Sequence, residues 1–206
     1  IEADLPPWFD GLKLAAREVG GVQIQNAGTI AGNFCNASPA ADGIPPLFAL
    51  DAQVELASAR GTQSMGLEKF IMGNRKIRIA TDEIVTGLRI AKPANPARST
   101  FLKLGARKYL VISIVMVAAV IEQNADGTVA AARIAVGSCS AAAKRLRLLE
   151  RALKDRPLNE ELGDVPEPGH LSILSPITDV RGSADYRQDS ALTLIGRTLR
   201  ELGASA

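Results

Sequence analysis

Apolar and polar residues recur along this chain with two different periods, and each change of period marks an element. After Pro6 and Pro7, residues Trp8, Leu12, Ala15, Ala16 and Val19 fall at helical spacing and predict a helix over 8–19, stopped by Gly20 and Gly21. Residues 22–25 alternate and predict a short strand. A polar stretch follows, and then Pro45 and Pro46 open a short helix ending at Leu50. Residues 52–57 read as a strand, Arg60-Gly61 as a turn, and 62–65 as the returning strand of a hairpin. Residues 68–73 are brief and helical or irregular, and 83–90 alternate again. Pro93 and Pro96 lie in a segment with no core-forming run, which places a domain boundary between 1–97 and 98–206.

The second half opens with a predicted strand at 100–107. The apolar run 109–121 (YLVISIVMVAAVI) is short of the ~20 residues that a membrane-spanning helix needs. Its β-branched content predicts a buried strand. A turn at 124–127 leads into 128–138, which completes a three-stranded antiparallel meander. Residues 141–154 are predicted helical, with Leu146, Leu149 and Leu153 on one face and a basic opposite face. That basic face is either solvated or a docking surface for an acidic partner. Ser183 is placed to cap a last helix reaching Leu202, with Leu192, Ile195 and Leu199 inward. The fold class is therefore α+β, in two units, each mixing helices with antiparallel strands.

Composition narrows the function. A chain of 206 residues with 47% hydrophobic and 22% charged residues has ample material for a core. A net charge of +2 and 4% aromatic residues disfavour nucleic-acid binding. Cys35, Cys139 and the single His170 cannot build a zinc or iron–sulfur site, which takes about four ligands. Widely spaced cysteines with no signal peptide point to buried thiols in a reducing cytoplasm. Arg75, Lys76 and Arg78 read as a solvated basic loop, and His170 as a loop or packing residue.

The chemistry concentrates in residues 26–42, NAGTIAGNFCNASPAAD. Gly28 and Gly32 let the backbone approach a neighbour closely, while Thr29, Asn33, Asn36 and Ser38 supply short donors and acceptors. Asp42 closes the run and suits either a cap or a sugar diol. Ile30, Phe34 and Cys35 are expected to pack inward. Such a segment serves a solvated turn or a phosphate-bearing ligand held by backbone N–H groups.

The wording of this segment, T-I-A-G-N at 29–33 followed by N-A-S-P-x-x-D at 36–42, resembles the central FAD-binding segment of the flavin subunit of molybdenum hydroxylases, the xanthine and carbon monoxide dehydrogenase family. Ala31 stands where that family usually has a glycine. F-L-K-x-x-x-R at 101–107 and S-A-D-Y-R at 183–187 resemble landmarks of its C-terminal domain, in the same order. The resemblance implies an incomplete FAD-binding α+β subdomain followed by a small C-terminal domain. It implies FAD as the cofactor, with the molybdenum cofactor on a large partner subunit and two-iron clusters on a small one. It assigns Gly28, Thr29, Gly32 and Asn33 to the ring and diphosphate end, Asp42 to the ribose, Val85 to the adenine side, and Lys103 to the ring system, where a cation favours reduced flavin.

The implied function is electron relay from iron–sulfur clusters through FAD to NAD⁺ or another acceptor, with no acid–base catalytic residue and no metal on this chain. The alternative is a structural docking module of such a complex that holds no FAD. Two features favour that alternative: Ala31, and the lack of the family's N-terminal glycine-rich phosphate loop. The start at Ile1 is expected to reflect processing or a fragment, and the resemblance favours a fragment lacking that N-terminal subdomain.

Overall fold

The computed structural model describes residues 1–108 and 110–204. A 3-10 turn at Pro7–Phe9 leads into helix α1 (Asp10–Glu18), and Gly20, at φ +55°, ends the helical course as expected. The next segment departs from expectation. Val22–Ala27 is helix α2, not a strand. Val22 and Ile24 are both exposed, so alternation there has no sheet face to bury. The backbone closes locally instead, with Gln25 N donating to Gly21 O at 3.0 Å and Gly28 N to Ile24 O.

Inside the expected polar loop, Ile30–Cys35 forms a second short helix, α3. Thr29 caps it, accepting from Gly32 N at 2.9 Å. Phe34 is fully buried and meets Phe70 edge-to-face at 5.8 Å. Ile30, expected inside, is exposed, and Cys35 is partly buried. Helix α4 (Ile44–Ala49) starts on Pro45 and Pro46 and is buried throughout. Strands β1 (Gln53–Ser58) and β2 (Gly61–Gly66) form the expected hairpin. Helix α5 (Leu67–Phe70) and a small hairpin, β3 (Ile71–Gly73) with β4 (Lys76–Ile77), follow. Strand β5 (Ile84–Arg89) then adds antiparallel to β1, giving the order β2-β1-β5. Only one face of this sheet carries buried side chains, led by Val54 and Leu56.

The second half is a sheet of order β6-β7-β8-β9. Its long strands are β6 (Ala97–Leu104), β7 (Val115–Gln123) and β8 (Val129–Gly137), the expected meander. The fourth, β9 (Lys144–Arg145), replaces the front of the expected helix over 141–154, and only α6 (Arg147–Leu153) is helical. Arg145 explains the change. It is buried, donating to Phe48 O at 2.9 Å, to Asp51 at 2.6 Å and to Glu150 at 2.5 Å, which a solvated helix face would forbid. Strand β7 also starts later than the apolar run. Leu110 and Ile112 are exposed, and Tyr109 lies outside the described residues. The last helix, α7 (Ala184–Ala204), is capped by Ser183, whose Oγ accepts from Tyr186 N at 3.1 Å.

From Val115 to Ile121 strand β7 is apolar at every position because it is covered twice. Val115, Val117, Ala119 and Ile121 pack with α6 and α7. Met116, Ala118 and Val120 pack with Ala15 of α1 and Ala49 and Leu50 at the end of α4. The two halves therefore share a core across one face of the second sheet. Polar ties reinforce it: Gly11 N donates to Ser99 Oγ at 2.8 Å and Arg133 Nε to Ala49 O at 2.9 Å.

Candidate functional site

Helices α1, α2 and α3 enclose a cleft of about 370 Å³. Its floor is the glycine-rich turn, where Gly28, Thr29, Gly32 and Asn33 converge, and its walls include Leu12, Val19, Ile24 and Ile30. The capped start of α3 brings Thr29 and Gly32 to one side. A side chain at Gly28 would put its Cβ 2.7 Å from Ile24 O, so only glycine lets the chain turn here. Asn33 Oδ1 accepts at 3.2 Å from the N–H of Gly43, which lines the same cleft, and a Cβ on Gly43 would lie 2.7 Å from that oxygen. Short polar groups on an apolar-walled cleft suit a ligand with a flat apolar body and polar edges.

The other three sequence-assigned residues stand outside this cleft. Val85 is partly buried against the core of the first half. Asp42 is buried, and both of its oxygens are engaged: Lys103 Nζ lies 2.9 Å from Oδ2, and Ser113 Oγ donates to Oδ1 at 2.7 Å. The Lys103 side chain is itself only 7% exposed, so its charge is spent on Asp42. Burial pushes the Asp42 carboxyl above the ordinary carboxylate range, against the pull of Lys103 and Ser113 toward lower values.

A second cleft, of about 770 Å³, opens where Ser38 and Pro39 face the second half. Arg75, Lys144, Arg181 and Arg187 line it with a single carboxylate, Asp179, and Ile173 and Ile177 form an apolar rim. Arg187 is 3% exposed and donates to Ile114 O at 2.7 Å, Ser138 O at 3.1 Å and Asp179 at 2.7 Å. Its Nε and the buried Ser138 Oγ have no hydrogen-bond partner among the described residues. Sequence reasoning passed over this cleft. The available signals were Ser113, a polar residue inside an apolar run, and Arg187, which shares a helix face with Ala191, Leu194 and Ile195.

The remaining candidates are structural. Burial pushes the Cys139 thiol up to about 12, which keeps it protonated and inert. His170 Nδ1 accepts from Glu167 N at 3.0 Å and caps a 3-10 turn. No cluster of metal-ligating side chains occurs among the described residues. No helix among them is long and apolar enough to cross a membrane.

Fold and cleft together define a two-part α+β protein with a glycine-lined cleft on its first part. The family described as FAD binding domain in molybdopterin dehydrogenase matches residues 1–93, and that described as CO dehydrogenase flavoprotein C-terminal domain matches residues 100–202. The chain belongs to this flavoprotein family of the molybdopterin dehydrogenases. It is 32% identical to the nicotinate dehydrogenase FAD-subunit of Eubacterium barkeri, over 85% of this chain and 60% of that one. It is 31% identical to the nicotine 6-hydroxylase medium subunit of Paenarthrobacter nicotinovorans, over 92% of this chain and 66% of that protein. The chain thus spans between 60% and 66% of the length of these two curated relatives. The reconstituted CO dehydrogenase from Oligotropha carboxidovorans contains a chain of the same fold, with a TM-score of 0.86 and 23% identity over 96% of this chain and 70% of that chain.

Proposed function

We propose that this chain is the flavin subunit of a molybdenum hydroxylase, built of units 1–97 and 98–206. It binds FAD, takes electrons from the iron–sulfur clusters of a small partner subunit, and hands them to NAD⁺ or another acceptor. The molybdenum cofactor belongs to a large partner subunit, and the complex works in the cytoplasm. The observation that carries this reading is the convergence of Gly28, Thr29, Gly32 and Asn33 on one apolar-walled cleft, in a chain whose relatives are FAD-binding subunits.

The residues present fit part of the cofactor. At Gly28 a Cβ would lie 2.7 Å from Ile24 O, so this point on the cleft lining carries no side chain. Thr29 and Asn33 orient polar edges, while Leu12, Val19 and Ile30 exclude water from a flat ring. FAD, when bound, supplies the conversion between single-electron and paired-electron transfer. Asp42, Val85 and Lys103 complete the assigned set from outside this cleft. Asp42 and Lys103 act together as a neutral pair, so Lys103 adds little net positive charge. The cation-lined second cleft suits an anionic acceptor such as a phosphate-bearing nucleotide.

Titration of the purified chain and of the assembled complex with FAD, followed by flavin fluorescence, tests the reading. Saturable binding weakened about tenfold or more by Asn33→Ala is the expected result, equivalent to about 1.4 kcal/mol. Absence of flavin from both preparations would transfer the chain to a docking role.

A further inference from the structure

The second cleft carries more positive charge than the chain itself uses. Its one lining carboxylate, Asp179, is held from both sides, by Arg187 Nη2 at 2.7 Å and Arg181 Nη1 at 2.8 Å. Arg75 and Lys144 line the same cleft and pair with no carboxylate among the described residues. Each is placed there by the fold. Lys144 and Arg145 are successive residues of β9, so they point to opposite sides. Arg145 turns inward to Asp51 and Glu150, which leaves Lys144, half-buried, on the cleft wall. Arg75 stands between β3 and β4 at φ +57°, a conformation that few residues other than glycine adopt. Its backbone N–H donates to Ala37 O at 2.9 Å and its guanidinium to Asn36 Oδ1, bonds that tie it to the segment carrying Ser38. A second observation points to a missing partner. Ser138 and Arg187, 8% and 3% exposed, also line the cleft, and Ser138 Oγ and Arg187 Nε have no hydrogen-bond partner among the described residues. Buried polar atoms rarely go unpaired, so a group that the chain does not supply is expected here. Ile112, Ile173 and Ile177, all more than half exposed, give the same cleft an apolar rim. Unpaired cations beside an apolar rim suit a ligand that carries both a phosphate group and a flat ring.

We propose that Arg75 and Lys144 are specificity-determining residues of the second cleft: they select a ligand that bears a phosphate group beside a flat apolar ring, and they disfavour an uncharged quinone. The proposal rests on the flavin reading given above in naming that ligand the electron acceptor, and goes beyond it in choosing the acceptor's class. A phosphate oxygen accepts from guanidinium and ammonium donors in short charge-assisted bonds, which a neutral quinone carbonyl matches only weakly. A neutral ring filling the cleft would strip water from Lys144 without supplying a counter-charge, a cost that a phosphate removes. Arg181 and Arg187 discriminate less, because Asp179 already engages them.

Calorimetric titration of the full chain with inorganic pyrophosphate, NADH and a neutral benzoquinone tests the assignment, with FAD binding followed separately by fluorescence. Pyrophosphate is expected to compete with NADH, and the quinone to bind at least about tenfold more weakly than NADH. Lys144→Gln and Arg75→Gln are each expected to weaken both phosphate ligands about tenfold, while Lys144→Arg stays within about threefold of the wild type. The quinone is expected to change by less than about twofold in every variant. Equal binding of quinone and NADH by the wild type overturns the proposal, as does phosphate binding that survives both Gln changes. Equal losses for quinone and NADH in both Gln variants overturn it as well, because they report damage to the cleft rather than lost charge. Absence of phosphate binding in a wild-type chain that takes up FAD overturns the proposal and leaves the flavin reading intact. Phosphate binding that responds to both variants, without any uptake of FAD, supports the cleft assignment and overturns the flavin reading.

Discussion

Thr29 and Asp42 belong to one unbroken polar segment, yet they meet opposite fates. Thr29 stays exposed at the mouth of a cleft, where its hydroxyl caps α3. Asp42 is drawn inside and spends both oxygens on Lys103 and Ser113. The difference follows from what surrounds each. Around Thr29 lie short helices whose backbone bonds close locally and need no cover. Around Asp42, helix α4 and the second sheet come together, and a charge trapped there must be paired. A polar motif therefore contains both cleft-facing and fold-facing members, and residue type alone does not separate them.

The largest test of this contrast is Lys103→Met. Leaving Asp42 buried without its cation is expected to cost about 3–5 kcal/mol, read by urea unfolding. The double variant Asp42→Leu with Lys103→Met is expected to recover most of the loss. A cost below about 1 kcal/mol for the single change would show that the pair is solvated and that the contrast with Thr29 is false. At the other end, Thr29→Ala is expected to cost about 1 kcal/mol by removing the cap, with Thr29→Ser restoring it. A cost as large as that of Lys103→Met would erase the distinction from the opposite side.

The smallest effect is a matter of pH. Asp179 is held below its ordinary value of 3.8 first by the Arg181 backbone N–H and then, against the opposing effect of burial, by Arg187 and the Arg181 side chain. Its folded-state pKa is depressed, so its contribution to stability is present above 3.8 and lost as pH falls through the folded value. Asp42 is shifted the other way by burial, so its contribution is full below 3.8 and shrinks as pH rises through its folded value. Stability measured against pH for Asp179→Asn and Asp42→Asn should therefore diverge from wild type in opposite directions. Parallel curves would mean that Asp42 is not desolvated.

Much of the fold was legible. The hairpin β1–β2, strand β5, the meander β6–β8 and helices α1 and α7 all follow from periodicity and punctuation, because each buries a face against a partner. Where no such burial exists, the pattern misled. The alternation Val22-Gln23-Ile24-Gln25 signals a strand, but with both apolar residues exposed the backbone took the locally bonded helix. The basic run at 144–154 reads as a helix face, but Arg145 found Glu150, Asp51 and the Phe48 carbonyl inside and became part of a strand. The glycine-lined cleft takes Gly28, Thr29, Gly32 and Asn33 from one short segment, whose glycine spacing and short amides are visible in the sequence itself. Ser138 was not singled out, and Arg187 entered only as the end of the 183–187 motif, since their burial depends on segments far apart in the chain.

The sequence by itself determined the two-part α+β organisation, the glycine-lined turn and the family, since periodicity, turn chemistry and motif order are properties of short segments. Only the tertiary structure decided that Asp42 and Lys103 neutralise one another, that β7 is covered on both faces, and that a second, cation-lined cleft opens between Ser38 and Arg187. These are facts about which distant residues share a low-dielectric space, and a charge takes its meaning from that space.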